Sequence, residues 1–255
     1  MHKVTAIIPT FNEEDNIEEA IKSVSWADEI MVVDSFSTDA TVEIARKHTD
    51  FVLQHQYVNS AAQKNWAIPQ AKYPWIFLLD ADERVTPELA EEIQKTLKKG
   101  TQHTAFRIWR KNMFMGRMMK HGELRSDNVV RLFLRDKSKY QDKHVHAGIL
   151  TEGSIGIFKY KLLHNTYKGF DHFLSKVDQY STWGAYDKLP KTKKVTLFHL
   201  WLKPAWRFFK QYIIQLAILD GRQGFIYAQL MAYTVFLRYV KLYRIQQGEK
   251  FRKDK

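Results

Sequence analysis

Trp75-Ile76-Phe77-Leu78-Leu79-Asp80-Ala81-Asp82 is the stretch that decides the fold of this chain. Five apolar residues in a row, with no polar alternation, read as a strand buried on both faces, as in a parallel sheet covered by helices. The run ends on two carboxylates one residue apart. Both can reach one hard cation, or one can hold the metal while the other takes a sugar hydroxyl. Oxygen ligands of this kind suit Mg²⁺ or Mn²⁺.

Upstream, the same logic repeats. Val4–Pro9 reads as a buried strand, and Asn12-Glu13-Glu14-Asp15 suits a helix start, where carboxylates meet the positive end of the helix dipole. Glu29–Asp34 is a second strand ending on a carboxylate, and Ser37-Thr38-Asp39 caps the helix after it. Phe51–Leu53 is a short third strand, Ser60–Ala71 is helical, and Thr86-Pro87 opens a helix that stops near Gly100. This alternation predicts an α/β fold with a mostly parallel sheet. Ligands of such sheets sit beyond the carboxyl ends of the strands. Thr10 and Asn12, Asp34 to Asp39, and Asp80 to Asp82 therefore converge on one crevice. Asp34 is placed to accept hydrogen bonds from a ribose or a base imino group. Lys64 and Asn65 lie on a helix entering the same crevice, where Lys64 could neutralise a diphosphate.

Downstream, Ala105–Trp109 and Val129–Leu134 read as strands. From residue 166 the pattern turns helical, with helices at His172–Tyr186, Pro204–Leu219 and Gly224–Gln246 and a break at Asp220-Gly221.

Composition narrows the function. The 255 residues include no cysteine, which excludes disulfides, zinc–thiolate sites, iron–sulfur clusters and cysteine catalysis. Gly-x-Gly-x-x-Gly, Gly-x-x-x-x-Gly-Lys and Gly-x-Ser-x-Gly loops are all missing, against dinucleotide cofactors, P-loop chemistry and a hydrolase elbow. The net charge of +12 is unevenly spread. Residues 1–100 carry 10 basic and 17 acidic groups (net −7), residues 101–190 carry 16 and 8 (net +8), and residues 191–255 carry 14 and 3 (net +11). An acidic crevice argues against nucleic acid as the partner. The N-terminal apolar run is too short for a secretory signal core, and the longest uncharged stretch, Gln223–Leu237, has 15 residues, short of a bilayer span. Basic, aromatic-rich helices of that length suit the surface of an anionic membrane.

Three motifs, Ala6-Ile7-Ile8-Pro9-Thr10-Phe11-Asn12-Glu13-Glu14, Val32-Val33-Asp34-Ser35-Phe36-Ser37-Thr38-Asp39 and Phe77-Leu78-Leu79-Asp80-Ala81-Asp82-Glu83, resemble glycosyltransferase family 2 in order and spacing. Arg131-Leu132-Phe133, His144-Val145-His146, Leu163-His164-Asn165-Thr166-Tyr167 and Asp220-Gly221-Arg222-Gln223-Gly224 resemble one branch, the β-1,4-glucosyltransferases of the lipopolysaccharide or lipooligosaccharide core. The resemblance implies a GT-A fold (a Rossmann-like, mostly parallel sheet) with a C-terminal helical appendage. Residues 1–100 would form the nucleotide-sugar half, 101–190 the acceptor half, and 191–255 a basic amphipathic helical region. It implies a UDP-sugar donor, UDP-glucose for this branch, held by Pro9, Thr10, Asn12, Glu13 and Asp34, with Asp80 and Asp82 at the metal and diphosphate. Chemistry would be a single inverting displacement assisted by a carboxylate base and Mg²⁺ or Mn²⁺. Asp127 is the first candidate for that base and Glu123 the second. His146 and Arg131 are candidates for acceptor or phosphate contact, although the branch often has a carboxylate where this chain has Ala147. The acceptor would be a lipid-linked saccharide, and the enzyme peripheral on the cytoplasmic face of the membrane. A sugar nucleotidyltransferase shares the strand order and aspartates, but Thr10–Glu14 stands where that class carries a glycine- and arginine-rich loop.

Overall fold

The computed structural model describes residues 2–141, 148–167 and 169–251; His146 lies outside them. The chain forms two compact units. The first comprises residues 1–111 and 127–164 and the second residues 112–126 and 165–255, so the segment 101–190 is shared between them.

In the first unit, β1 (Val4–Thr10) lies between β2 (Glu29–Asp34) and β4 (Trp75–Leu78), parallel to both, and β3 (Val52–Gln54) extends the sheet beyond β2. Past β4 the direction reverses: β8 (Asn128–Leu134) is antiparallel to β4, and β6 (Ala105–Phe114) is antiparallel to β8. Two further short strands complete this end, β12 (Leu162–Asn165) beside β6 and β5 (Glu83–Arg84) beside β12. β11 (Ile155–Ile157) runs parallel to β6, and β9 (Ser138–Tyr140) pairs with β10 (Ile149–Thr151) as a separate ribbon. The order β3-β2-β1-β4-β8-β6 puts the ends of β1, β2 and β4 side by side, with Thr10 opposite Asp34.

Both faces of the sheet are buried, which is why its strands read as unbroken apolar runs. Ile8, Phe77, Leu79 and Leu132 pack on one face with α1 (Ile17–Ser23) and α4 (Pro87–Lys99). Ile7, Ile76, Leu78 and Phe133 pack on the other with α3 (Ser60–Ala67). α2 (Thr41–Arg46) connects β2 to β3. The Thr86 side chain caps α4 by accepting from the Leu89 amide at 3.3 Å, and Gly100, at φ 83°, ends it. α3 stops earlier than the sequence predicts, because Pro69 tightens residues 68–70 into a 3₁₀ turn.

In the second unit, the end of β6 and β7 (Arg117–Met118) form a short hairpin. Phe114 is fully buried and packs edge-on against Tyr167, Phe173 and Tyr227 at centroid distances of 5.2, 5.4 and 5.2 Å. The long helices α5 (Phe170–Lys188) and α7 (Gly221–Gln246) are joined by the Lys241 ammonium, which donates to Asp178 and to the Thr182 hydroxyl at 2.6 and 2.7 Å.

The single helix expected at Pro204–Leu219 is instead broken. A π turn (Phe198–Leu202) leads into α6 (Lys203–Phe209), a second π turn follows (Lys210–Ile214), Leu216 takes φ 60°, and a 3₁₀ turn spans Ala217–Asp220. The cause is tertiary. The buried Asp220 carboxylate turns to accept the Lys120 and His121 amides at 3.1 and 2.8 Å, and Gly224 approaches the Ala217 carbonyl so closely that a β-carbon would lie 1.9 Å from its oxygen.

Candidate active site

The crevice begins where β1 and β2 end. Their loops are laced together: the Asn12 amide donates to the Ser37 hydroxyl (2.8 Å), the Thr38 amide to the Asn12 side-chain oxygen (2.9 Å), and the Glu13 amide to the Thr41 hydroxyl (2.7 Å). The Thr10 hydroxyl is buried without a hydrogen-bond partner among the described residues, a group that a bound polar ligand would satisfy. Pro9 lies one residue before it at the strand end, partly exposed. Phe11 and Phe36 project from the two loops, both half exposed. Phe36 sits at φ 61°, a conformation costing a bulky residue about 1–3 kcal/mol, and such strain concentrates at binding sites.

Asp34 is fully buried. Its carboxylate accepts from the Ser37 amide, the Ser37 hydroxyl and the Gln54 side chain (3.1 Å). It shapes the loop, and three of its roughly four acceptor positions are taken by these donors. Asn65, expected to face the crevice, spends its amide on the backbone of Tyr140, accepting at 2.8 Å and donating at 3.1 Å. It fixes β9.

At the end of β4 the side chains form a ladder of alternating charge. The Asp80 carboxylate lies 3.4 Å from the Lys64 ammonium and accepts from the Arg131 guanidinium. Arg131 also donates to Glu83 at 2.6 Å; the same Glu83 oxygen accepts from Arg110 at 3.1 Å, and Arg110 grips Asp127 with two bonds of 2.8 and 2.7 Å. Glu83 has no exposed surface. Burial alone would raise the Asp80 pKa, but Arg131 and Lys64 outweigh it and hold the carboxyl far below the usual range. Burial likewise opposes the charge on Lys64 and Arg131, yet their carboxylate partners win and both pKa values rise. At neutral pH Asp80, Lys64 and Arg131 are therefore all charged. Asp80 is an anchor for cations and is unsuited to moving a proton. Asp127 is gripped in a fixed orientation by Arg110.

Asp82 stands beside His164, its carboxylate oxygen 3.6 Å from the imidazole Nε2, and each side chain is 15% exposed. That separation is too long for a hydrogen bond. An oxygen and an imidazole nitrogen held side by side fit a divalent ion such as Mn²⁺ or Mg²⁺. Among the described residues no group of three or more His, Asp or Glu side chains could enclose a metal, so the remaining ligands would come from substrate phosphate and water.

Glu123 belongs to the second unit. Its carboxylate accepts from the Arg207 guanidinium and, at 3.2 Å, from the Tyr227 hydroxyl.

Sequence reasoning missed Glu83, Arg110 and His164 as members of the site. Glu83 directly follows the Asp-x-Asp motif, and His164 sits inside a quoted motif. Arg110 gave no signal, because only the pairing of β6 with β8 brings it to Asp127.

Parallel strands ending at a buried, unsatisfied Thr10 hydroxyl, followed by an Asp-x-Asp pair whose first member enters a charged ladder, define an enzyme of the GT-A type. The family model described as glycosyl transferase family 2 matches residues 5–161, more than half of the sequence, and the chain belongs to that family. It is 29% identical over 248 residues to the lipopolysaccharide core biosynthesis glycosyltransferase LpsC of Rhizobium meliloti, covering 94% of this chain and 92% of that one. An uncharacterised glycosyltransferase of Rickettsia felis is 28% identical, over 95% of this chain and 90% of its own. Among solved structures, residues 1–349 of TarS from Staphylococcus aureus align with 98% of this chain and 93% of that chain at a TM-score of 0.47 and 16% identity. Glucosyl-3-phosphoglycerate synthase of Mycobacterium tuberculosis, solved with Mg²⁺ and UDP, aligns with 45% of this chain and 44% of that chain at 0.37 and 21%.

Proposed function

We propose that this glycosyltransferase moves a hexose, glucose from UDP-glucose in the first instance, onto a lipid-linked saccharide of the lipopolysaccharide or lipooligosaccharide core, with inversion at the transferred carbon. The observation that carries the reading is the charged ladder from Lys64 to Asp127 together with the Asp82–His164 pair that follows β4. The near full-length likeness to a protein named for lipopolysaccharide core biosynthesis supports the acceptor class.

Pro9, Thr10, Asn12, Glu13 and Asp34 would receive the uridine, Asp34 also holding the loop after β2. Lys64 faces the diphosphate and remains protonated there. Asp82 and His164 would hold a divalent cation, which supplies positive charge to the departing diphosphate. Asp80 keeps Lys64 and Arg131 in place. Asp127 takes the proton from the acceptor hydroxyl as that oxygen attacks the anomeric carbon, a contribution of about 10²–10⁴-fold.

The second unit supports a membrane surface as the place of work. Leu197, Trp201, Leu202, Trp206 and Leu219 are all more than half exposed, Trp201 at 74%, and Lys203, Arg207 and Lys210 lie among them. No helix of the described residues is long and apolar enough to cross a membrane. An aromatic, basic segment of this kind lies in the interface of an anionic bilayer. The cytoplasmic face, where nucleotide sugars are made, is the corresponding location.

A donor screen tests the function: UDP-glucose, UDP-galactose and UDP-N-acetylglucosamine, each with Mg²⁺, Mn²⁺ or chelator, followed by UDP release in the presence of core saccharide. Metal-dependent release from UDP-glucose is expected. No release from any of the three would sink the proposal.

A further inference from the structure

A cavity of about 320 Å³ opens on the α3 side of the first unit's sheet, lined by Lys64, Asp80, Arg107, Arg110, Arg131 and Tyr140 among others. Four of these side chains are cationic, and the charge count around them does not balance. Lys64 pairs with Asp80, Arg131 with Asp80 and Glu83, and Arg110 with Glu83 and Asp127. Three carboxylates thus meet three cations, and Arg107 is the surplus. Among the described residues its guanidinium makes no hydrogen bond or ion pair, although it projects from the middle of β6 between β8 and β11. A second observation is independent. Arg131, whose side chain is 4% exposed, keeps its Nε buried with no hydrogen-bond partner among the described residues. A buried N–H left unpaired is unfavourable unless something fills the site.

From this geometry we infer that the cavity is an anion subsite, in which Arg107, beside the buried Arg131, binds a phosphate or carboxylate carried by the acceptor. The guanidinium fork is suited to either group, since each presents two oxygens in one plane. The assignment to the acceptor rests on the function proposed above and on position along the strand. Arg107 lies three residues from Arg110, which grips the base Asp127, and three residues of strand span roughly 10 Å. An anion at Arg107 therefore lies within a short oligosaccharide's reach of the hydroxyl that Asp127 deprotonates, whereas the donor diphosphate belongs with Lys64 and the Asp82–His164 pair.

The test is a calorimetric titration of the full chain, first saturated with UDP and Mg²⁺, with inorganic phosphate, glucose 6-phosphate and glucuronate in separate arms. At least one probe is expected to bind alongside UDP. Arg107→Ala should weaken that binding at least about tenfold, in keeping with loss of a charge-assisted pair, while changing UDP affinity less than about twofold. Arg107→Lys, which keeps the charge without the fork, should fall between. The phosphate and glucuronate arms distinguish a phosphorylated from a carboxylated acceptor. Competition between phosphate and UDP would make the cavity part of the donor site and overturn the inference, as would equal binding by wild type and Arg107→Ala. If UDP does not bind at all, the proposed function falls first. Phosphate binding to the unliganded chain that depends on Arg107 would then preserve the anion site, and binding that does not would remove it as well.

Discussion

Glu83 has no exposed surface, yet one of its oxygens accepts from both Arg131 and Arg110. Removing one partner of a buried ion pair strands the other, so Glu83→Gln should destabilise the fold by about 3–5 kcal/mol in urea denaturation. Asp80 gives a pH signature. Its folded pKa is depressed from the ordinary value of 3.8, so its contribution to stability is complete above that pH and is lost progressively as the pH falls below it. The Asp80→Asn variant should therefore lose less stability than wild type between pH 5 and pH 3, a difference read from denaturation midpoints at the two pH values. Asp127→Ala should lower turnover about 10²–10⁴-fold while UDP affinity is kept, because a general base acts on the acceptor proton and not on the nucleotide. Unchanged turnover would remove Asp127 from that role. At this scale the sequence was legible in part. The aspartates after β4 announced themselves by ending an apolar run, but the direction a polar side chain takes is a tertiary fact. Asp34 and Asn65, read as ligand contacts, have side chains that also hold a loop and a strand.

Elements buried on both faces were the most legible. β1, β2 and β4 have uninterrupted apolar runs, and α4 carries its own cap and stop residues. The short strands β5, β7 and β11, of two or three residues each, carry too few positions for a period and were not read. The segment before α7 was misread because its aromatic spacing is helical, whereas its path is set by Asp220 and by the closeness of Gly224 to the Ala217 carbonyl. That closeness gives a prediction at the scale of the element. Gly224→Ala forces a β-carbon to within 1.9 Å of an oxygen, so the backbone must shift. The expected cost is about 1–3 kcal/mol, as for overpacked cores, and is measurable as a lowered melting temperature. An unchanged melting temperature would mean that this corner is looser than described.

For the molecule as a whole, charge and exposure divide the work. The acidic first hundred residues hold the strand-end crevice, while the positive charge accumulates after residue 100. The exposed aromatic and aliphatic residues between Leu197 and Phe225 give the second unit a surface for which water is a poor partner. Binding to vesicles containing anionic lipid should be strong at low salt and weaken as salt screens the Lys and Arg contribution. Trp201→Ala with Trp206→Ala should reduce it further, as followed by co-sedimentation. Equal binding to neutral and anionic vesicles would contradict the electrostatic part of that account. The central claim, that the strand-end crevice is a nucleotide-sugar site completed by a divalent cation on Asp82 and His164, is tested most directly by calorimetric titration of UDP with Mn²⁺ or with chelator. Wild type should bind UDP tightly only with the metal, and Asp82→Ala should lose that dependence; binding of equal strength with and without metal in both proteins would contradict it.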